Sequence, residues 1–203
     1  MNGGDYGAAM TARILMVCTA NVCRSPMAEV LLRRHLSDAG IDAVVSSAGT
    51  RNVGLPVDPK ATAVLAEMGH DLTTHRPRPI SREILTNDGA GLIITMTREH
   101  LRDVVALDRS TWKRTFTLRE LVHRVSTLST TPDSPASALQ ATSEGLAAWA
   151  GFVATGRKAA DMLTDDPGDD IGDPYTGSSA DVLACARDID MLTGLVARNL
   201  SFL

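Results

Sequence analysis

Cys18-Thr19-Ala20-Asn21-Val22-Cys23-Arg24-Ser25-Pro26 places a nucleophile, an anion clamp and a helix start within one turn of chain. Displacement at a phosphoryl group is the chemistry such a set serves. The residues ahead of it, Ile14-Leu15-Met16-Val17, are apolar and partly β-branched, and predict a buried strand ending at Cys18. Behind it, Ser25 is a favoured N-cap and Pro26 suits the first helical position. Ala28, Leu31, Leu32, Leu36 and Ala39 then recur at helical spacing until Gly40 closes the helix.

In a strand-to-helix turn, the backbone N–H groups of residues 19 to 24 can curl around a tetrahedral oxyanion while the helix N-terminus adds positive potential. Thr19, Ala20, Asn21, Val22, Cys23, Arg24 and Ser25 therefore form a candidate phosphate-binding loop. Arg24 stands six residues after Cys18, and its planar fork can grip two anion oxygens. The same field favours the thiolate of Cys18, the candidate nucleophile. Asn21 suits the left-handed backbone that a tight cradle requires.

Releasing an alkoxide or phenolate from phosphorus also needs a proton for the departing oxygen. Asp173-Pro174-Tyr175 offers a carboxyl on a loop stiffened by proline. Asp165, Asp166, Asp169 and Asp170 lie just ahead, and mutual repulsion predicts that Asp173 keeps a proton near neutrality. The expected reaction is in-line attack by Cys18 to give a cysteinyl-phosphate. Asp173 protonates the leaving group and then deprotonates water, while Arg24 and the cradle hold the equatorial oxygens. It needs no metal and no cofactor.

The elements that must position these groups follow from the rest of the pattern. Val44-Val45-Ser46-Ser47 predicts a second strand, residues 58 to 69 a helix, and Leu92-Ile93-Ile94-Thr95-Met96 a third strand. A helix over about 98 to 107, a short strand Lys113-Arg114-Thr115-Phe116 and a helix from near Leu118 come next. Alternation of this kind calls for an α/β fold, a parallel sheet with helices on both faces and the nucleophile loop at the carboxyl ends of the strands. Residues 126 to 143 are rich in Ser, Thr, Pro and Ala and read as a loop, after which Leu146, Trp149 and Val153 fall at helical spacing in a segment reaching about Leu163. Together they make an insertion over about 126 to 168, with a helix packed on the sheet as its simplest form. Residues 1 to 12 read as a flexible tail and 13 to 203 as one domain. Cys185 belongs to the last helix as packing.

No basic-then-apolar leader and no membrane-length apolar run is visible. With three cysteines, this predicts a cytoplasmic protein in a reducing compartment. A net charge of −4 argues against a general nucleic-acid surface.

The Cys18 segment resembles the low-molecular-weight protein tyrosine phosphatases, whose signature is Cys-x5-Arg-Ser-Pro near the N-terminus. Ser47-Ala48-Gly49-Thr50, His75, Ile93-Ile94-Thr95-Met96-Thr97 and Asp173-Pro174-Tyr175 look like family segments in family order. The resemblance implies a four-stranded sheet in the order 2-1-3-4. It also implies that Ser25 donates to the thiolate, that Asn21, Ser47 and His75 hold the loop, and that Cys23 forms a reversible disulfide with Cys18. Phosphotyrosine needs a deep slot with apolar or aromatic walls. Tyr175 suits one wall, while Arg51 and Asn52 stand where members commonly place a second aromatic. The implied partners are a phosphotyrosine protein, a cognate tyrosine kinase and phosphate or another oxyanion in the site, on a monomer or weak dimer.

Three other readings share this pattern. Protein arginine phosphatases resemble the chain but place Thr where it has Val22. Arsenate reductases of this fold use a further cysteine pair, and no cysteine lies between Cys23 and Cys185. A non-catalytic phosphate-binding module would more naturally have lost Cys18, Arg24 or Asp173.

Overall fold

The computed structural model describes residues 11–51, 54–87, 89–128 and 142–200. Its elements are β1 (Ala12–Cys18), α1 (Arg24–Asp38), β2 (Ala43–Gly49), α2 (Pro59–Glu67), α3 (Arg82–Asn87), β3 (Leu92–Thr95), α4 (Arg98–Leu107), β4 (Thr115–Thr117), α5 (Leu118–Leu128), α6 (Ser143–Val153) and α7 (Ser179–Leu200). The strands form one parallel sheet in the order β2-β1-β3-β4. Helices cover both faces, so β1 and β3 read as continuous apolar runs rather than alternations. Ile14 and Met16 belong to a large core shared with α1, α5, α6 and α7, whereas Leu15, Val17 and Ile93 pack with Leu85 of α3 and Val104 of α4. Each aliphatic side chain fully buried in this way contributes roughly 1.5–3 kcal/mol.

α1 ends as the sequence predicts. Gly40 takes φ +73°, its N–H reaches Ser37 O, and the Ile41 N–H reaches Leu36 O, which satisfies the last carbonyls of the helix. Its start differs from expectation, because the N-cap is Cys23, without a side-chain bond, and Ser25 lies inside the first turn. The fourth strand also starts two residues later than expected. Lys113 and Arg114 belong to a 3-10 turn, Arg109–Arg114, that the Asp108 side chain opens by accepting from the Ser110 N–H.

α6 is packed on the core, as expected of its apolar spacing. Leu146, Trp149, Ala150 and Val153 of α6 join the large core, and a Cβ on Gly91 would meet Ser143 O at 2.2 Å, so this glycine lets α6 approach β3. Arg157 is tied beneath it. Its guanidinium donates to Trp112 O, Thr115 O and Glu120 Oε2 and lies 4.7 Å from the Phe116 ring. Of the tail expected over residues 1 to 12, Ala12 is instead the buried first residue of β1, and 1–10 fall outside the described residues, as do 129–141 of the Ser/Thr/Pro-rich stretch.

Candidate active site

The turn after β1 is held from three sides by backbone. Thr50 N–H donates to Cys18 O, Arg51 N–H to Thr19 O and Asp58 N–H to Val22 O. Gly49 explains its place in the Ser-Ala-Gly-Thr segment, since a Cβ there would stand 2.8–2.9 Å from backbone atoms of Thr19, Ala20 and Asn21. Asn21 has φ +58°, the left-handed conformation that asparagine tolerates, and is fully buried.

The side chains behind the turn form a continuous set. Asn21 Nδ2 donates to Ser25 Oγ at 3.0 Å and Ser47 Oγ at 2.8 Å. Ser47 donates to Glu29 Oε2 at 2.6 Å, His75 Nε2 donates to Asn21 O at 3.1 Å, and the Arg78 N–H donates to Asn21 Oδ1. Having accepted from Asn21, the Ser25 hydroxyl has its proton for Cys18 Sγ at 3.0 Å or, at longer range, for Ala48 O at 3.4 Å. It therefore serves the sulfur rather than the helix end. Glu29 and Arg78 escaped the sequence reading. Glu29 carried a signal, because it lies one turn beyond Ser25 on α1 and so on the same face.

Arg24 is buried with a side chain 5% exposed. Nη1 donates to Ile171 O at 3.1 Å, and Nη2 donates to Asp173 Oδ2 at 2.7 Å and Thr19 Oγ1 at 3.2 Å. Asp173 is thus brought to the nucleophile loop. The four carboxylates ahead of it have partners of their own instead of crowding it. Asp169 and Asp170 bind Arg98, Asp165 pairs with Arg102, and Asp166 accepts from the Gly168 N–H. On the far side, Lys60 Nζ holds Tyr175 O and Gly177 O. A thiol nucleophile, a guanidinium and a carboxyl around one anion-sized turn can carry out phosphoryl transfer through sulfur.

The profile of the low molecular weight phosphotyrosine protein phosphatase family matches residues 13–144. The chain belongs to this family. A probable low molecular weight protein-tyrosine-phosphatase EpsP of Ralstonia solanacearum is 35% identical over 112 residues, 55% of this chain and 74% of that protein. The stretches aligned with curated relatives span roughly half to three quarters of those proteins. Among solved structures, the low molecular weight protein tyrosine phosphatase of T. tengcongensis is 25% identical with a TM-score of 0.65, covering 93% of this chain and 99% of that one. The YwlE arginine phosphatase of Geobacillus stearothermophilus is 26% identical with a TM-score of 0.63, covering 93% and 92%.

In this member of the family a cavity of about 200 Å³ opens over Cys18. Its floor is the Cys18–Arg24 turn, and its walls are Leu55, Asp173 and Tyr175. Arg51 does not line it. The side chain turns to Glu99, at 3.1 Å, and Leu55 supplies the apolar wall instead. Asn52 lies outside the described residues. Val22, Ala20 and Leu55 give the slot an apolar lining with no hydroxyl on the Val22 side. All three cysteines are free thiols. Burial, and next the Asp58 charge, push the Cys23 thiol well above the ordinary range. Cys185 is only half-buried rather than fully within the core, with Sγ 3.8 Å from Gly172 O, and burial raises its pKa to about 11. His100 is a further residue at this turn, with its ring against Thr19.

Proposed function

We propose that this chain hydrolyses phosphotyrosine in proteins through a phosphorylated Cys18. The observation that carries the reading is the Arg24–Asp173 contact beside the Cys18 thiol, which gathers nucleophile, anion clamp and general acid at one apolar slot. A phosphoryl group enters with its oxygens on the cradle N–H groups and Arg24, taking the place of the Asp173 carboxylate. Sulfur attacks phosphorus as the bond to the tyrosyl oxygen breaks, and Asp173, which takes up a proton from solvent on facing an anion instead of a cation, passes it to that oxygen. Water then attacks phosphorus, Asp173 takes its proton, and the Cys18 thiolate leaves. Ser25 donates to the thiolate in both half-reactions. Asn21, Ser47 and His75 hold the loop. The walls Leu55 and Tyr175 favour a ring over the short stem of phosphoserine.

Likeness to an arginine phosphatase supports a second reading, phosphoarginine as substrate. Val22 weighs against it, because an apolar side chain at that point gives a guanidinium no hydroxyl partner. Among the described residues no helix is long and apolar enough to cross a membrane. We infer a reducing, cytoplasmic setting with a tyrosine kinase as the source of substrate, and a monomer or weak dimer. Turnover of phosphotyrosyl, phosphoseryl and phosphoarginyl peptides by the wild type and Cys18→Ser tests the assignment. Phosphotyrosine is the expected substrate, and activity surviving in Cys18→Ser excludes the covalent route.

A further inference from the structure

The strand order reverses between β1 and β3, and there the turn after β1 meets the first turn of α4. Three side chains join across this crevice. His100, 3% exposed, places Nε2 2.8 Å from Thr19 Oγ1 and Nδ1 2.9 Å from Thr97 Oγ1. Thr97 is the N-cap of α4, and its Oγ1 also accepts from the His100 backbone N–H at 3.3 Å.

The hydrogens can be placed by asking which arrangement satisfies each group. Thr97 Oγ1 accepts from the backbone N–H, so its own proton goes to Nδ1. The ring hydrogen then sits on Nε2 and is donated to Thr19 Oγ1. Thr19 Oγ1 also accepts from Arg24 Nη2, which fills both of its lone pairs. Its hydroxyl proton is left for the cavity that Thr19 lines together with Cys18 and Arg24. The opposite tautomer would spend that proton on Nε2 and leave Thr97 without an acceptor. A neutral ring agrees with its surroundings, for burial, Arg24 and Arg51 all disfavour charge on His100.

We propose that Thr19 is a side-chain donor to the phosphoryl group, aimed by His100 as its positioning residue. This rests on the reading of the turn as a phosphoryl-transfer site. Arg24 is fixed at Nη1 by Ile171 O, and Thr19 holds Nη2 in plane when an anion replaces Asp173. Thr19 thus acts twice, as a donor to the anion and as the fixed partner of the guanidinium. His100 touches neither substrate nor sulfur and acts only through Thr19.

The test uses Thr19→Val, Thr19→Ser, His100→Leu, His100→Gln and the double variant Thr19→Val/His100→Leu. Readouts are kcat/KM on a phosphotyrosyl peptide, the calorimetric Kd for inorganic phosphate or orthovanadate, and Tm. Thr19→Val is expected to lose roughly 10²-fold in kcat/KM, the scale of one oxyanion donor, and to bind the anions more weakly. Thr19→Ser restores both readouts. His100→Leu loses less, about tenfold, His100→Gln recovers through its amide N–H, and the double variant is no worse than Thr19→Val alone. Unchanged anion affinity in a folded Thr19→Val, or additive losses in the double variant, overturns the proposal. Anion binding needs no turnover, so a wild type lacking Cys18-dependent hydrolysis would defeat the functional reading while the anion Kd still judges Thr19.

Discussion

Arg24 Nη2 and Asp173 Oδ2 stand 2.7 Å apart, so the group assigned to grip the phosphoryl oxygens and the group assigned to protonate the leaving oxygen are each other's partner. An anion that binds Arg24 must compete with that carboxylate. The competition is mild, because the Asp173 side chain is 50% exposed and an ion pair open to water on one side is worth about 0–1 kcal/mol.

Asp173→Ala should therefore separate two effects. Loss of the general acid lowers kcat on phosphotyrosyl peptides by roughly 10²–10⁴, and by much less on p-nitrophenyl phosphate, whose leaving group departs as an anion. Release of Arg24 tightens orthovanadate inhibition by no more than about fivefold. Steady-state kinetics on both substrates with inhibition constants decide it, and equal losses on the two substrates would count against Asp173 as the acid.

Asn21 carries the loop conformation in both backbone and side chain. Asn21→Ala loses two buried donor bonds and the Oδ1 that accepts from the Arg78 N–H, and keeps a Cβ at φ +58° without the side-chain bonds that hold it there. A loss of about 2–4 kcal/mol is expected from urea denaturation, with most of kcat/KM. Asn21→Gly relieves the backbone and not the bonds. Its stability should fall between the two while its activity stays near that of Asn21→Ala.

The site was legible where chemistry is written contiguously. Cys18 to Ser25 is one segment whose order dictates one geometry, and Asp173-Pro174-Tyr175 needed only the sheet to bring it across. What escaped depends on side chains meeting from separate elements. Arg51 looked like a pocket wall until Glu99, on α4, claimed it, and Leu55 took the wall from a stretch with no motif of its own. The carboxylates ahead of Asp173 looked like a repelling crowd because sequence spacing says nothing of Arg98 and Arg102, which bind three of them from another helix. Ser25 read as a cap because the local pattern is that of a cap. Only the fold shows that a buried sulfur and Asn21 claim its hydroxyl first. His100 did carry a signal, since it holds the third position after the Thr97 cap, where a side chain can reach back to the cap.

Arg157 and Glu120 form an ion pair at 2.7 Å with both residues less than 9% exposed, and this pair fastens the segment after α6 to β4 and α5. Burial pulls the Arg157 pKa down, and the Glu120 carboxylate opposes it. Arg157→Met leaves Glu120 with Arg124 as its remaining partner, at 2.9 Å, but takes the donor from the Trp112 and Thr115 carbonyls, so it should cost about 1–3 kcal/mol by chemical denaturation. Arg157→Met/Glu120→Gln should recover part of that loss. A double variant as unstable as the sum of the singles would mean that the pair is not coupled.

His100 also predicts how stability changes with acid. In the folded protein burial, then Arg24 and Arg51, bring its pKa from the ordinary 6.5 down to about 3. Between those values the unfolded chain holds a proton at this position that the folded chain lacks, so acid favours unfolding. The contribution is complete above about pH 6.5 and is lost as the pH falls toward 3, at about 1.4 kcal/mol per unit within that window. His100→Gln keeps a donor toward Thr19 and cannot titrate. Unfolding free energies of the two proteins from pH 7 to 4.5 should therefore differ in slope by one proton, the wild type losing stability faster, because every other titratable group is common to both. Parallel curves would show that His100 takes up its proton in the folded state as readily as in the unfolded one, and the neutral ring assigned beside Arg24 would then be wrong.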